Sequence, residues 1–587
     1  MRARIVLIFV LLAAVSLSAQ TFRGTILGTV TDAQGAVLSG AKVTVKNAGT
    51  GLERTTDTSA DGSYALPELP IGTYSVTVTQ AGFQTSVTTG VTVDVAGERR
   101  VDAALKPGEV STKVEVSADL LPLVETTTNT LGGVLTAQTV ENMPVNGRDY
   151  TKLIYLNPGV AGSPDQISDS PGSFGEFSMN GARGRSNNYL LDGTDMNDGY
   201  RNDPAINEAG VFGTPSTILP IDAVAEVNVL SNFQPEYGRS AGAIVNIVTK
   251  SGTNKIHGSA ADYFRNDALD ARNYFNPAGQ PKAPFHNNQY GASLGGPIVK
   301  DKTFFYLDYE GQQEPVGVVT VANVPTGTAA DGSLQPSDST DPSGIIAALI
   351  ARHPWPAPNL TRGSIPDQTM GTASVVSPSF NRLTSFIAKI DHSFNPNNNL
   401  TGRYFFGDSV QSFPLALTAS GGQLPGFNTF TPTRVQLVSL SYVRTLGSNK
   451  VNELRYGWNR FAEGFFPADQ NFHPSSIGLC TATDATLCNG TAPFDSGMPI
   501  IQVGDSLIGH ASQLGATSSL PRHRVDSNNQ ILDSFSWKLN KHDVKFGVDY
   551  HRTSIQQYFD KYFRGRLSFP DVASFLAGTP SGGFQYT

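Results

Sequence analysis

Residues 433–466 read TRVQLVSLSYVRTLGSNKVNELRYGWNRFAEGFF. Two runs of alternating apolar and polar residues flank the turn triplet Gly447-Ser448-Asn449, so the stretch predicts an antiparallel hairpin. In its second run Leu454, Tyr456 and Trp458 share one face, and Glu453, Arg455 and Asn459 share the other. Three more hairpins repeat the plan. NQYGASLGGPIV turns at Lys300-Asp301-Lys302 into TFFYLDYEG, RLTSFIAKIDHSF turns at NPNN into LTGRYFFGD, and NQILDSFSWKL turns at NKH into DVKFGVDYHRT. Long polar stretches separate them, at residues 268–286, 314–379, 409–433 and 467–521. Short turns on one side and long loops on the other are the rhythm of an outer-membrane β-barrel, with its apolar face toward lipid and its polar face toward the lumen. Charged strand residues such as Arg403, Arg455 and Lys545 suit a wide polar interior better than a close-packed core.

Composition agrees. The 587 residues include 42 Lys and Arg against 50 Asp and Glu, a formal charge of −8, with 39% hydrophobic residues and two cysteines. Two cysteines exclude a small disulfide scaffold, and an acidic balance without a basic stretch argues against a nucleic-acid partner. A helical membrane protein needs spans of about 20 apolar residues, and the only candidate, residues 5–17, is too short. Strands that alternate keep an ordinary mean hydropathy, here −0.17.

Arg2 and Arg4 precede IVLIFVLLAAV and the small residues Ser16, Ser18 and Ala19, so residues 1–20 read as a secretory signal peptide. Export would place Cys480 and Cys488, in CTATDATLC, in an oxidising compartment; they are a disulfide candidate, the alternative being two unpaired thiols.

Residues 21–107 carry short alternating runs between Gly, Asp and Pro turn signals, the pattern of a β-sandwich. The order TDAQG, GAKVTV, ADGSYALPELPIGTYSVTV and GF resembles the carboxypeptidase regulatory-like domain, a transthyretin-type seven-stranded sandwich without catalytic residues of its own. Asp57, Ser59, Asp61, Gly62 and Glu68 approach the spacing of an EF-hand loop, but Pro67 and Pro70 forbid the flanking helix that loop requires.

Residues 108–254 change character. A short strand, a Thr-rich connection and two short amphipathic stretches, around residues 136–143 and 149–156, give an α+β signature. The block GARGRSNNYLLDG, an acidic-apolar helix start in IDAVAEVNVL, and then EYGRSAGAIVNIVTKSGTN resemble the plug domain of TonB-dependent outer-membrane receptors, and the preceding sandwich narrows the resemblance to the Oar-like branch. On that resemblance the plug motif is Gly181, Arg183, Asn188, Asp192, Gly193, Tyr237, Gly238 and Gly242. The fold class expected is mainly β: sandwich, α+β plug, then, over residues 255–587, part of a large antiparallel transmembrane barrel. About nine or ten strands are legible where a plugged transporter has about 22, so the chain is expected to be shortened at its C-terminal end.

Two G-x-S-x-G matches, Gly238-Arg239-Ser240-Ala241-Gly242 and Gly291-Ala292-Ser293-Leu294-Gly295, lack the following helix that a nucleophile elbow needs. No enzyme, cofactor or metal site is expected. The glycines read instead as plug backbone packed against the barrel wall. Asp192, Asp195, Asp198 and Asp203 offer oxygen ligands for calcium, but a solvated loop of local turns is the preferred reading.

The resemblance implies an outer-membrane protein with its sandwich in the periplasm, which binds an extracellular ligand and imports it with energy from the inner-membrane TonB complex. Such a complex docks by strand addition. The candidate segment is EVSTKVEV, residues 109–116, in which Val110, Val114 and Val116 share a face; the alternative is the first plug strand, and Lys113 departs from the usual apolar pentapeptide. An adhesive or carbohydrate-binding surface protein, merely anchored by the barrel, is the competing function. A secreted hydrolase is disfavoured. Tyr189, Tyr200, Phe212 and Trp355 are candidates to stack on a sugar or a flat chelate, against ordinary loop packing.

Overall fold

The computed structural model describes residues 23–117, 131–162, 177–206, 217–232, 237–238, 241–272, 282, 284–360, 369–413, 422, 424–479, 496–504, 511–517, 520–539, 542–559 and 564–584. The signal peptide, Cys480, Cys488, Phe212 and Ser240 lie outside them.

Nine strands open the chain: β1 (Gly24–Asp32), β2 (Lys42–Asn47), β3 (Glu53–Asp57), β4 (Ser63–Leu69), β5 (Gly72–Thr79), β6 (Thr85–Val93), β7 (Glu98–Arg100), β8 (Ala103–Leu105) and β9 (Lys113–Ser117). They make two sheets, β4-β1-β7 with β8 also on β1, and β3-β2-β5-β6-β9. Alternate residues such as Ile26, Val30, Val43, Val45, Tyr74 and Val76 fill one core between the sheets. The buried Tyr64 and Tyr74 hydroxyls donate to the carbonyls of Val101 and Pro70, each at 2.6 Å. In the turn before β4, Asp61 accepts from the hydroxyls of Ser59 and Ser63, which pulls its pKa down to about 2. Strands flank this loop, as the proline argument required. One expectation fails here. Residues 113–117 are not a plug strand: β9 lies parallel to β6, Thr85 opposite Lys113, at the edge of a sandwich sheet.

The next layer holds β10 (Leu131–Thr136), α1 (Ala137–Asn142), a 3-10 turn at Tyr150–Leu156, β11 (Val160–Ala161), β12 (Ser178–Met179), β13 (Asn188–Leu191), β14 (Thr194–Asp195), β15 (Val224–Asn232) and β16 (Ile244–Thr249). Its main sheet runs β10-β15-β16-β13-β14. The expected helix start in IDAVAEVNVL is only a single 3-10 turn, Ile221–Ala223, before β15. Its apolar residues Val227 and Val229 sit two apart and are buried in the core, so strand periodicity prevails. All six residues of β16 are buried, as befits a central strand, and this strand follows Gly242 where a hydrolase would have its helix.

Then come β17 (His257–Asn266), β18 (His286–Val299), β19 (Thr303–Pro325), β20 (Met370–Asn395), β21 (Asn398–Phe413), β22 (Thr429–Leu446), β23 (Lys450–Pro467), the short β24 (Ile500–Val503) and β25 (Ser512–Leu514), β26 (Arg522–Leu539), β27 (His542–Phe559), and the short β28 (Arg566–Phe569) and β29 (Gly582–Phe584). Nine of these form one antiparallel sheet among the described residues, β17-β18-β19-β20-β21-β22-β23-β26-β27. The strands of all four expected hairpins pair as read, β18 with β19, β20 with β21, β22 with β23 and β26 with β27. The polarity is inverted relative to a soluble protein: Glu453 and Arg455 are each 1% exposed, while Leu454, Val548 and Tyr550 are 48%, 48% and 57% exposed. Polar residues thus face the lumen and apolar ones face outward, the arrangement lipid requires.

The stretch 314–379 is less of a loop than expected. β19 is 23 residues long and β20 is 26, against the roughly 9–11 needed to cross a bilayer. Beyond the sheet the long connections fold together, with α2 (Ile345–Ile350), α3 (Val572–Leu576) and the sheet β25-β24-β28-β29 sharing an apolar core. Trp355 is buried in it, its indole N–H donating to Ser512 Oγ at 2.9 Å, so it is not a ligand-stacking aromatic.

Candidate functional site

The α+β layer lies against the inner wall of the long sheet: one apolar core contains its Leu191, Met196, Val227 and Ile247 together with Tyr306, Phe405, Val435 and Phe461 of the wall. It is a plug by position. The decisive contact begins with a local turn. Leu191-Asp192-Gly193-Thr194 joins β13 to β14, with φ of 47° at Asp192 and 70° at Gly193, the Asp-Gly pair a two-residue hairpin prefers. Asp192 projects from that turn onto Lys389 of β20 at 3.4 Å and Arg403 of β21 at 3.1 Å. Thr249 completes its coordination through its N–H and hydroxyl, at 2.9 and 2.8 Å. Burial alone would raise this carboxyl, but Lys389, Arg403 and Thr249 prevail and hold it below its ordinary range.

The segment continues across the wall. Arg403 also donates to Leu191 O and Thr194 Oγ1, and Arg455 donates to Gly193 O. Gly457 lets Thr194 approach: a Cβ there would stand 3.2 Å from Thr194. Gln530 Oε1 accepts from the Asp195 N–H at 2.9 Å, Asn459 donates to Asp195 O at 3.1 Å, and His551 stands 3.6 Å from the Asp195 carboxylate. Asp198 faces Arg524 of β26 at 3.4 Å and accepts from the N–H groups of Tyr200 and Arg201.

The acidic run is therefore not a solvated loop. Asp192, Asp195, Asp198 and Asp203 are 2%, 5%, 1% and 6% exposed, and the first three engage wall cations or His551. Among the described residues no group of three His, Cys, Asp or Glu has the geometry of a metal site. The sequence shows the cluster but not its partners; the Asp-Gly turn signal is available in it, while Arg403 reads only as a charge of the polar interior and nothing singles out Lys389. The other motif residues have backbone roles. Gly181 has φ of 80°, Arg183 precedes a 3-10 turn, and Asn188 and Tyr237 are buried. A Cβ on Gly242 would lie 2.4 Å from Asn187 Oδ1, so this glycine packs against the plug itself rather than the wall. Gly252 and Gly199 are pressed on the wall, where a Cβ would sit 2.3 Å from Phe305 O and 2.5 Å from Thr553 Cγ2 respectively.

Two cavities flank the seam. At the loop end, one of about 470 Å³ is bordered by Arg185, Tyr200 and Arg201 of the plug and by Phe465, Arg522 and Arg524 of the wall. The Arg522 guanidinium covers the Phe465 ring at 4.1 Å, and Arg524 lies 5.2 Å from the Tyr200 ring. Their balancing carboxylates, Asp198, Glu463 and Asp526, are buried beneath, at 3.4, 3.6 and 3.3 Å from Arg524. Glu463 borders the cavity too and the Arg524 guanidinium nitrogens are buried, so the lining is mixed in charge, with Arg185 and the Tyr200 ring its exposed members. Of the four aromatic candidates, Tyr200 borders this cavity, 55% exposed, whereas Tyr189 is buried in the plug core.

At the tight-turn end, a cavity of about 680 Å³ lies among sandwich, plug and wall, bordered by Arg23, Lys250, Lys255, Lys302 and Lys389, with Glu226, Asp301 and Asp391 also present. The sandwich is seated there: Asn254 N–H donates to Gly49 O, Thr56 Oγ1 donates to Ser448 O at 2.7 Å, and Lys545 meets Glu68 at 3.7 Å. Val95 is held at both ends, its N–H donating to Glu226 Oε2 and its carbonyl accepting from Asn228, each at 2.8 Å. Burial, reinforced by Asp94, raises the Glu226 carboxyl to about 7 despite the Val95 hydrogen bond.

A lipid-facing antiparallel sheet with a folded plug against its polar wall defines an outer-membrane β-barrel protein of the plugged kind. The chain belongs to the outer membrane beta barrel domain family, which it matches over residues 248–587, and residues 25–106 match the carboxypeptidase regulatory-like domain. It is similar to the TonB-dependent transporter Oar of Myxococcus xanthus, 29% identical over 49% of this chain and 26% of that protein. The probable TonB-dependent siderophore receptor PirA of Acinetobacter baumannii is 26% identical over 30% of this chain and 22% of that one. The outer-membrane transporter YddB of Escherichia coli, at 12% identity and a TM-score of 0.46, covers 74% of this chain and 50% of its own. The matches thus span about a quarter of these relatives and half of that structure.

Proposed function

We propose that this protein captures a ligand at the loop-end cavity and imports it across the outer membrane, using energy that the TonB complex delivers to the plug. The sandwich then lies in the periplasm, beneath the tight turns, and the co-folded long connections lie outside the cell. The observation that carries this reading is the polar seam. Beside the apolar core they share, plug and wall are joined by ion pairs and hydrogen bonds, which can be exchanged for water or ligand. Docking of TonB falls to residues 109–116. Among the described residues β9 is the last strand of its sheet, so a partner strand can add beside it, and Val110 and Val114 are exposed there.

Cells energised through TonB should accumulate a ligand that cells with a Glu115→Pro receptor do not, since in the β6–β9 register the Glu115 N–H faces the outer edge and proline removes that donor. Binding without energised accumulation would instead support the adhesive or carbohydrate-binding reading, which the shared apolar core of the outer connections favours as a rigid presenting surface.

A further inference from the structure

The outward face of the long sheet ends on arginines. Counted from the tight turns, Arg552 is ten positions from His542, Arg460 ten from Lys450, Arg434 twelve from Leu446 and Arg382 thirteen from Asn395, each the turn-side end of its strand. Arg382, Arg434 and Arg460 stand between buried neighbours, and Arg552 follows the exposed Tyr550 at strand spacing, so all four point away from the plug. A tilted strand crosses a bilayer in about 9–11 residues. The four cations therefore share one level, at the boundary opposite the turns. Between them and the turns lie outward apolar residues such as Ile390, Leu440, Leu454, Val548 and Tyr550, each 45–57% exposed. The Arg434 guanidinium lies 5.6 Å from the Phe406 ring and that of Arg382 lies 5.1 Å from the Phe380 ring. Arg460 and Arg552 have no hydrogen-bond, ion-pair or ring partner among the described residues. From β20 to β27 this level holds one outward carboxylate, Asp408, paired with Arg434 at 2.7 Å. Asp533 lies nearer the turns, where Asn452 donates to it at 2.6 Å, and Asp262 stands three strands beyond Arg382, on β17. The belt is net positive.

Resting on the orientation proposed above, with the tight turns in the periplasm, we propose that this belt binds the headgroup phosphates of anionic lipid in the outer leaflet. A lipid-facing arginine is costly at the bilayer midplane and nearly free of cost at its boundary. There its planar fork meets phosphate bidentately, while its stem lies along apolar surface such as the Phe406 and Phe380 rings. Arg434 faces Ala462, two residues from Arg460, a diagonal of about 7–8 Å, so two guanidiniums reach one phosphate. The four arginines are spread at one height over six neighbouring strands rather than gathered in a pocket. That arrangement matches a headgroup layer, not a single soluble ion.

The test titrates the purified full-length protein, in a neutral detergent, with lipid A bearing two phosphates and with the same lipid after phosphatase treatment, bound lipid being read by native mass spectrometry. The unaltered protein should bind the phosphorylated form at least about tenfold more tightly. Joint Arg382→Gln, Arg434→Gln, Arg460→Gln and Arg552→Gln substitution should abolish that preference, whereas Arg444→Gln, outward but two positions from the turn-side end of β22, should keep it. Equal affinity for the two lipids in the unaltered protein, or equal loss in Arg444→Gln, would overturn the site, and displacement of the lipid by inorganic phosphate at matched concentration would assign the arginines to free phosphate instead. Orientation is read separately. Ala330, exposed in the connection after β19, is replaced by cysteine and probed in intact cells with a membrane-impermeant maleimide, and labelling is expected. Phosphate-dependent lipid binding without that labelling would refute the outer leaflet and leave phosphate recognition standing; labelling with equal lipid affinities would refute the lipid site and leave the orientation standing.

Discussion

Arg403 and Asp192 meet at 3.1 Å across the boundary between barrel wall and plug, with 1% and 2% of their side chains exposed. Asp192→Asn keeps the shape but leaves Arg403 and Lys389 buried without a countercharge, a loss of about 3–5 kcal/mol of plug docking. Faster protease cleavage within the plug and entry of a large hydrophilic antibiotic into cells should report it. Adding Arg403→Met should restore part of the loss by removing one stranded cation.

The same carboxyl sets an acid limit. Its pKa is below the ordinary 3.8 in the closed state, so the pair contributes in full above that value and is lost as pH falls through the lowered one. Plug protection from protease should hold through mildly acidic conditions and collapse only below about 3.8.

Glu226 works in the other sense. Raised to about 7 by burial, its contribution to sandwich docking is full below its ordinary 4.5 and is lost as pH rises through 7. Hydrogen-exchange protection of the Val95 amide, corrected for intrinsic rate, should fall between these values, and the fall should vanish in Glu226→Gln.

Gly252→Ala should loosen the plug where it leaves for the first wall strand. The added carbon meets two backbone carbonyls, Phe305 O at 2.3 Å and Gly296 O at 2.7 Å, neither of which can rotate away. A cost of about 1–3 kcal/mol is expected, seen as a lower melting temperature.

Trp355→Ala removes the ring that packs edge-on to Phe575 at 5.3 Å and the hydrogen bond to Ser512. About 3–5 kcal/mol of loop-core stability should go, exposing residues 326–360 to added protease while the sheet remains intact.

The hairpins, their tight turns, the sandwich and the inverted polarity of the wall were legible in the sequence because each rests on period-two alternation and turn chemistry, which act over a few residues. The reach of β19 and β20, the pairing of β9 with the sandwich and the strand at IDAVAEVNVL were not, since strand ends and neighbours depend on what the rest of the chain offers. The acidic run shows the division most sharply. Its composition was plain, and Asp192-Gly193 marks a hairpin by itself. Whether Asp192 met water, calcium or a cation was decided by the tertiary structure alone, because Lys389 stands 197 residues away and is brought to it only when the plug lies against the wall. Burial then makes the choice, for a carboxylate taken out of water must find compensating charge, and the wall supplies it.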